Sequence, residues 1–337
     1  MENALLNRYR GSESGPILEE HAGHKKRPTL NNGRLHMFGK NSRTIAIARA
    51  ALLGLLGLGG IASAQTFDVS RIEVNKELAA RLPEKIRQAG VLVGGSDNDY
   101  APWEYLAGAD GQTPEGIDID IGNAIAAKLG VKYESRTAQF TTILPALGTN
   151  YDIGMSAFSI TEERKKVVNF VSYAETGNEW LIKAGNPTGF DPTDICGRQI
   201  AVQSGSRHEE RLMIVNKECV DGGHKEITVL PFKTQTEAVT RVAVGGADAT
   251  VTGSATALYA AFKSNKALET VRPVGEALDV RGLNGIAITK SDTELTELIA
   301  DTLTTLIKDG TYKAILDSWG MGAVGVPEAK INPASEH

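Results

Sequence analysis

The sequence is short of the residues that would announce most catalytic chemistries. Only two of its 337 residues are cysteine and six are histidine. They are too scattered for a zinc site, which draws four ligands from closely spaced Cys, His and carboxylates. No phosphate-cradling loop, nucleophile elbow or His-Glu-x-x-His pair occurs. We therefore expect no catalytic centre, no metal and no cofactor. Low-complexity tracts are missing too, and 41% hydrophobic with 23% charged residues is a globular balance, which excludes disordered, collagenous and coiled-coil classes. Positive charge is outweighed by negative charge beyond the first 64 residues. That segment carries nine basic and four acidic side chains, leaving −10 for residues 65–337 out of a net −5. A body this acidic repels a phosphate backbone, so nucleic acid is not an expected partner.

The longest apolar run, Ala50–Ile61, is well short of the roughly 20 residues that span a bilayer. It follows Lys40, Arg43 and Arg49 and ends in Ala62-Ser63-Ala64, the plan of a secretory signal peptide cleaved after Ala64. Met37 stands where such a peptide starts, and residues 1–36 are polar and aperiodic. We therefore read 1–64 as an upstream extension plus signal peptide, and the mature chain as periplasmic. Export changes the reading of Cys196 and Cys219: in an oxidising compartment two thiols 23 positions apart are expected to form a disulfide.

Past the leader, strand and helix signals alternate. Val91–Gly95, Lys132–Ser135, Gln199–Gln203 and Ile227–Pro231 are short extended runs. Ile117–Leu129, Arg207–Asn216, Glu237–Val244, Leu295–Ile307 and Tyr312–Trp319 have helical apolar spacing. Such alternation indicates an α/β fold with largely parallel sheets.

Several segments then carry a family resemblance. Ser96-Asp97-Asn98-Asp99-Tyr100-Ala101-Pro102-Trp103-Glu104, Gly116-Ile117-Asp118-Ile119-Asp120, Phe140 to Leu147 and Ser156-Ala157-Phe158-Ser159-Ile160-Thr161-Glu162-Glu163-Arg164 come in order. After them stand Cys196 to Ser206, Asp309-Gly310-Thr311-Tyr312 and Trp319-Gly320. The set, spanning residues 85–320, resembles the polar amino-acid solute-binding proteins of ABC transporters. The resemblance implies a two-lobed periplasmic-binding-protein fold of type II with a two-strand hinge. Lobe 1 would be discontinuous, residues 66–180 and 285–330, and lobe 2 the insert 184–282. It also implies a monomer that captures a small carboxylate-bearing ligand and hands it to an inner-membrane ABC permease.

The residues themselves suit that task. A guanidinium offers a carboxylate two parallel donors, which lysine cannot, so Arg164 is the candidate carboxylate holder. Ser156 and Ser159 supply hydroxyls or carbonyls on the turn before it, and backbone N–H groups near Arg164 are expected to help. The alternative is a solvated helix charge beside Lys165 and Lys166. By the resemblance, Tyr100 and Phe140 pack on the ligand, Asp97 gives a carboxylate, and Gln203, Ser206 and Arg207 line the lobe-2 loop. Trp103 reads as core, Phe158 as wall or core, and Arg207 as either a cleft cation or an exposed residue paired with Glu210. Gly253 stands where many members have an Asp for the ligand's ammonium. That departure leaves Asp97 or Glu175 to neutralise an ammonium, or implies an unusual ligand such as an acidic or opine-like derivative.

Two other functions fit the same fold. A periplasmic dehydratase would need a general acid, for which His208 and Glu209 are the candidates, although no base accompanies them. A sensor module would continue into a transmembrane helix, and the polar tail ending at His337 gives no sign of one. Intact-mass analysis of the periplasmic protein should find two hydrogens fewer than in the reduced chain. Replacing both cysteines by Ser should lower stability by roughly 3 kcal/mol.

Overall fold

The computed structural model describes residues 66–273, 278 and 281–335; the signal-peptide reading falls outside them. Thirteen strands are seen among these residues. The first seven are β1 (Val91–Ser96), β2 (Asp99–Tyr100), β3 (Glu104–Ala107), β4 (Thr113–Glu115), β5 (Lys132–Thr137), β6 (Ile153–Gly154) and β7 (Val168–Thr176). Then follow β8 (Asn178–Lys183), β9 (Gln199–Gln203), β10 (Thr228–Phe232), β11 (Ala249–Gly253), β12 (Leu268–Val271) and β13 (Gly282–Thr289).

They form two five-stranded sheets, ordered β5-β1-β6-β13-β7 and β10-β9-β11-β8-β12, and a small antiparallel β2-β3-β4 unit. In each large sheet the leading strand pairs in parallel on both sides, β1 with β5 and β6, β9 with β10 and β11. Parallel strands need crossover helices on their faces, and this explains why β1 and β9 read as continuous apolar runs. Helix Ile117–Leu129 makes the first crossover, and Arg207–Asp221 the equivalent one in the second sheet. The latter runs past the expected Asn216 because nothing stops it before Gly222, and a Lys217 to Asp221 ion pair supports its last turn. Helix Gln235–Ala243 begins ahead of the expected Glu237, since Thr234 and Glu237 close a reciprocal capping box. Pro231 is tolerated in β10 because that strand is an edge.

Each sheet has its own core. Trp103, Ile117, Ile125, Tyr173 and Leu298 belong to the first, and Trp180, Phe190, Ile200, Leu212 and Cys219 to the second. Cys219 is disulfide-bonded to Cys196, so helix Arg207–Asp221 is tied to the chain just ahead of β9. The chain leaves the first sheet at Gly177 and has returned by Gly282, which pairs with Thr176. These crossings correct the expected limits of 180 and 285: Asn178–Trp180 pair with β11 and β12 and so lie in lobe 2. No helix among the described residues is long and apolar enough to cross a membrane.

Gly116 closes the floor of lobe 1. Its φ of +134° is one that L side chains avoid, and a Cβ there would lie 2.2 Å from the Trp103 carbonyl oxygen. Gly111, at φ +66°, faces open space. Gly116→Ala should therefore destabilise by more than about 1 kcal/mol, and by more than Gly111→Ala, as read from urea midpoints.

Candidate functional site

Where the two sheets face each other, a cavity is lined by Tyr100, Trp103, Phe140, Ser156, Ala157, Ser159 and Arg164 from lobe 1. Gln203, Ser206, Arg207, His208 and Gly253 come from lobe 2, and Thr176, Asn178 and Asn284 from the crossing strands. Nine of the ten expected ligand-binding residues thus meet in one cavity. Asp97 does not line it; its carboxylate accepts from the Gln203 amide.

The lobe-1 floor is a buried polar chain. The Asp97 N–H donates to Ser156 Oγ at 3.0 Å, and that hydroxyl donates to Glu104 Oε1 at 2.6 Å. Asp118 accepts from the Ala157 N–H at 2.9 Å and from the Tyr173 hydroxyl at 2.7 Å. Ala157 has φ +42°, a conformation that costs a non-glycine residue about 1 kcal/mol or more. Asp118 on its N–H and Asn284 on its carbonyl hold it there. Burial raises the Glu104 carboxyl well above its ordinary value, with the Asp118 charge adding to the effect. Burial also pushes Asp118 up to about 6, against the hydrogen bonds of Ala157 and Tyr173. Burial thus favours the protonated form of Glu104, whose Oε2 is buried without a hydrogen-bond partner among the described residues.

Arg164 reaches across the cleft. Its Nη1 donates to the Ser159 carbonyl and its Nη2 to the Gly205 carbonyl on the other lobe, both at 2.9 Å. Its guanidinium lies 5.6 Å from the Phe140 ring centre and 5.9 Å from that of Phe158. Desolvation pulls its pKa down to about 10, with Glu210 opposing and nearby Arg207 assisting, so it stays cationic at neutral pH. The expected backbone donors near Arg164 are not free to serve: helix Glu162–Lys165 is a single turn and the Thr161 hydroxyl takes the Arg164 N–H.

Lobe 2 closes on this floor through neutral groups. Gln203 Nε2 donates to Asp97 Oδ2 at 2.7 Å, and the Tyr100 hydroxyl sits 2.7 Å from Thr252 Oγ1 while accepting the Gly253 N–H at 3.1 Å. Thr236 adds a bond to Asp99 Oδ1 at 2.6 Å. His208 is tied by Nε2 to Asn178 Oδ1 at 2.9 Å. Because Asn178 Nδ2 donates to the Leu278 carbonyl, its oxygen faces the ring, and His208 carries its proton on Nε2. Burial pulls the His208 pKa down to about 3, with Arg207 and Arg164 adding to the effect.

Several alternatives are now decided. Glu175 does not line the cavity; its carboxylate is held by Arg281 at 2.7 Å. Phe158 is fully buried and stacked on Phe140 at 4.8 Å, so it backs the wall instead of forming it. Trp103 is 1% exposed yet touches the cavity with its edge of the core. Arg207 lies in the cleft, its guanidinium against Gly282, where a Cβ would come within 2.4 Å of Nη1. Gly253 does line the cleft, and the Tyr100 hydroxyl occupies the space beside it, 3.2 Å from where a Cβ would stand. The supporting roles of Glu104 and Asp118 escaped sequence reading although both lie in the recognised motifs. Thr176, Asn178 and Asn284 had no sequence signal, because only the crossing of the strands brings them in.

Residues 92–322 match the model of the bacterial extracellular solute-binding proteins, family 3. The arginine-binding protein ArgT of Corynebacterium glutamicum is 31% identical over 265 residues, 76% of this chain and 83% of its own. The L-cystine-binding protein TcyJ of Escherichia coli is 26% identical over 81% of this chain and 96% of its own. Among solved structures, an ancestral arginine-binding protein bound to arginine is similar with a TM-score of 0.60 and 34% identity, covering 68% of this chain and 98% of that one. An ancestral amino-acid-binding protein, a precursor of cyclohexadienyl dehydratase, gives 0.61 at 32% identity, covering 70% and 98%.

The closed cleft makes one titration testable. Burial pushes Asp97 up to about 6, against the Gln203 hydrogen bond and the Phe140 N–H and with the Asp99 charge assisting. A carboxyl raised in the folded state contributes most below its unfolded pKa, and that contribution is lost as pH rises through about 6. His208, lowered to about 3, acts in the opposite sense as pH falls below its ordinary value. The difference between wild type and Asp97→Asn isolates the first effect. Asp97→Asn should melt higher than wild type at pH 8, and the gap should shrink as pH falls through 6, by calorimetry of the ligand-stripped proteins.

Proposed function

The chain belongs to the family 3 bacterial extracellular solute-binding proteins, and we propose that it captures a polar amino acid or amino-acid derivative in the inter-lobe cavity and delivers it to an inner-membrane ABC permease. Its binding role follows from the family. The ligand class, delivery step, periplasmic location and monomeric state are the proposal. Lobe 1 is the floor, lobe 2 the insert that closes on it, and the crossings at Gly177 and Gly282 are the hinge. Such closure is a known mode of hinge motion in periplasmic binding proteins.

The observation that carries the ligand class is Arg164. Its two Nη atoms donate to carbonyls on opposite lobes, beside Phe140 and within reach of Ser156, Ser159 and Ser206. A carboxylate in the cavity would give the cationic fork an anionic acceptor in place of neutral carbonyls, and would link the lobes through the ligand. Tyr100 and Phe140 supply flat apolar faces on either side.

A binding role is favoured over catalysis by the named relatives, which are binding proteins, and by the state of the two candidate acids. His208 is neutral and tied to Asn178, and Glu209 Oε2 takes the Gly205 N–H at 2.7 Å. Both side chains are committed to protein partners.

A thermal-shift screen of refolded, ligand-stripped protein against the common amino acids identifies the ligand, since one present at 100 times its Kd stabilises by roughly 2.7 kcal/mol. Against that ligand, Arg164→Lys should keep the charge but lose the fork, weakening binding by about 2 kcal/mol in titration calorimetry. Unchanged affinity would place the carboxylate elsewhere.

A further inference from the structure

One side chain joins the strand crossing to the binding turn. β13 re-enters lobe 1 with Gly282 opposite Thr176, and two residues later Asn284 pairs with Ala174 and Gly285 with Ser172, so Tyr173 is an extra residue in β7. Bulges of this kind re-aim the side chains beside them. Thr176 lies diagonal to Asn284, and its hydroxyl donates to Asn284 Oδ1 at 2.9 Å. On the other edge of β13, Asn284 is level with Ser159. There the Ile160 N–H donates to the Leu283 carbonyl at 2.8 Å and the Gly285 N–H to the Phe158 carbonyl at 2.9 Å. Backbone bonds therefore fix residues 158 and 160. Ala157, one residue farther, is held by a side chain: its carbonyl accepts from Asn284 Nδ2. A carbonyl oxygen can only accept, so the amide end facing Ala157 is the nitrogen and Oδ1 is left for the Thr176 hydroxyl. Asn284 is 5% exposed, and with Thr176, Ala157 and Ser159 it lines the cavity.

From this we propose that Asn284 is a positioning residue for ligand binding: its amide relays the strand crossing at Thr176 to the left-handed Ala157, and so sets the turn that carries Ser156, Ser159 and Arg164. The proposal rests on the amino-acid reading above and adds the residue through which the hinge reaches the ligand. Ala157 has φ +42°, which an L side chain resists. Without the amide on its carbonyl the turn would relax toward negative φ. The Ser159 carbonyl, on which Arg164 Nη1 rests at 2.9 Å, would turn with it. At the other end of the relay, Gly177 is the single residue between β7 and β8, so rotation of lobe 2 on lobe 1 acts on the backbone next to Thr176. Coupling of this kind is reciprocal: a ligand that fixes the turn also biases the crossing.

Affinity of the folded protein separates this role from a contribution to stability alone. L-Glutamine, L-arginine and L-glutamate are the probes, titrated by calorimetry into wild type, Asn284→Ala and Thr176→Val, and into the same three in an Ala157→Gly background. For the probe that wild type binds most tightly, Asn284→Ala should weaken binding about tenfold, the factor that corresponds to holding one L residue in the left-handed region. Thr176→Val keeps the shape and removes the donor, and should weaken binding about threefold. Glycine adopts a positive φ without that penalty, so in the Ala157→Gly background both losses should shrink to within about twofold. Asn284→Ser, too short to span both partners, repeats the comparison if the alanine variant does not give a cooperative melt. Asn284 variants that bind as wild type does, or losses of equal size in the glycine background, overturn the positioning role while leaving the amino-acid reading intact. Unchanged affinity in Thr176→Val removes the crossing from the relay and overturns the coupling to the hinge. No binding of the three probes by wild type, together with a silent screen of the common amino acids, overturns that reading and the proposal with it.

Discussion

The Ser156 hydroxyl is the joint on which the binding floor depends. It accepts the Asp97 N–H and donates to Glu104, so one oxygen fixes the end of β1, the β3 carboxyl and the turn that leads to Arg164. Both of its bonds are buried, and a buried polar group left unpaired costs about 1–3 kcal/mol, which keeps the turn in one arrangement. The left-handed Ala157 follows from the same constraint, with Asp118 below and Asn284 above. Ser159 and Arg164 then project into the cleft from a segment that has little freedom left.

Closure is achieved across this floor by hydrogen bonds that each have at least one neutral partner. Gln203 on Asp97, Tyr100 on Thr252 and Gly253, Arg164 on the Gly205 carbonyl and Thr236 on Asp99 each join one lobe to the other. Individually such bonds contribute about 1–3 kcal/mol net, a scale suited to an interface that must open and close. The lobes themselves are held together more firmly. Each has a separate apolar core, and lobe 2 adds the Cys196–Cys219 bridge. Rigid lobes joined by two strand crossings and a modest set of cross-cleft bonds form a mechanical arrangement in which ligand contacts can tip the balance.

Electrostatics divide the site into layers. Below the floor, burial raises the carboxyls of Glu104, Asp118 and Asp97, which disfavours three full charges side by side. Above them the cavity wall carries guanidinium groups and the neutral His208. The acid layer is structural, and the layer that meets a ligand is set by Arg164, Arg207 and the side chains that separate the two.

What the sequence determined by itself was local and ordered. The apolar runs of β1 and β9, the helix at Ile117–Leu129 with Gly130 at its end, and the Ser156–Arg164 segment each carry their information within a dozen residues, where periodicity and capping act. The same is true of the two cysteines, whose context left few other uses. Tertiary structure decided everything that depends on which face meets which. It moved Asn178–Trp180 into lobe 2, because strand pairing with β11 and β12 outweighs proximity in sequence to β7. It gave Glu175 to Arg281, put Phe158 behind Phe140, and turned Arg207 inward against Gly282. Above all it brought Gln203 onto Asp97. A sequence pattern shows that both residues are there; only the closing of one lobe on the other brings an amide and a carboxylate 106 positions apart to 2.7 Å.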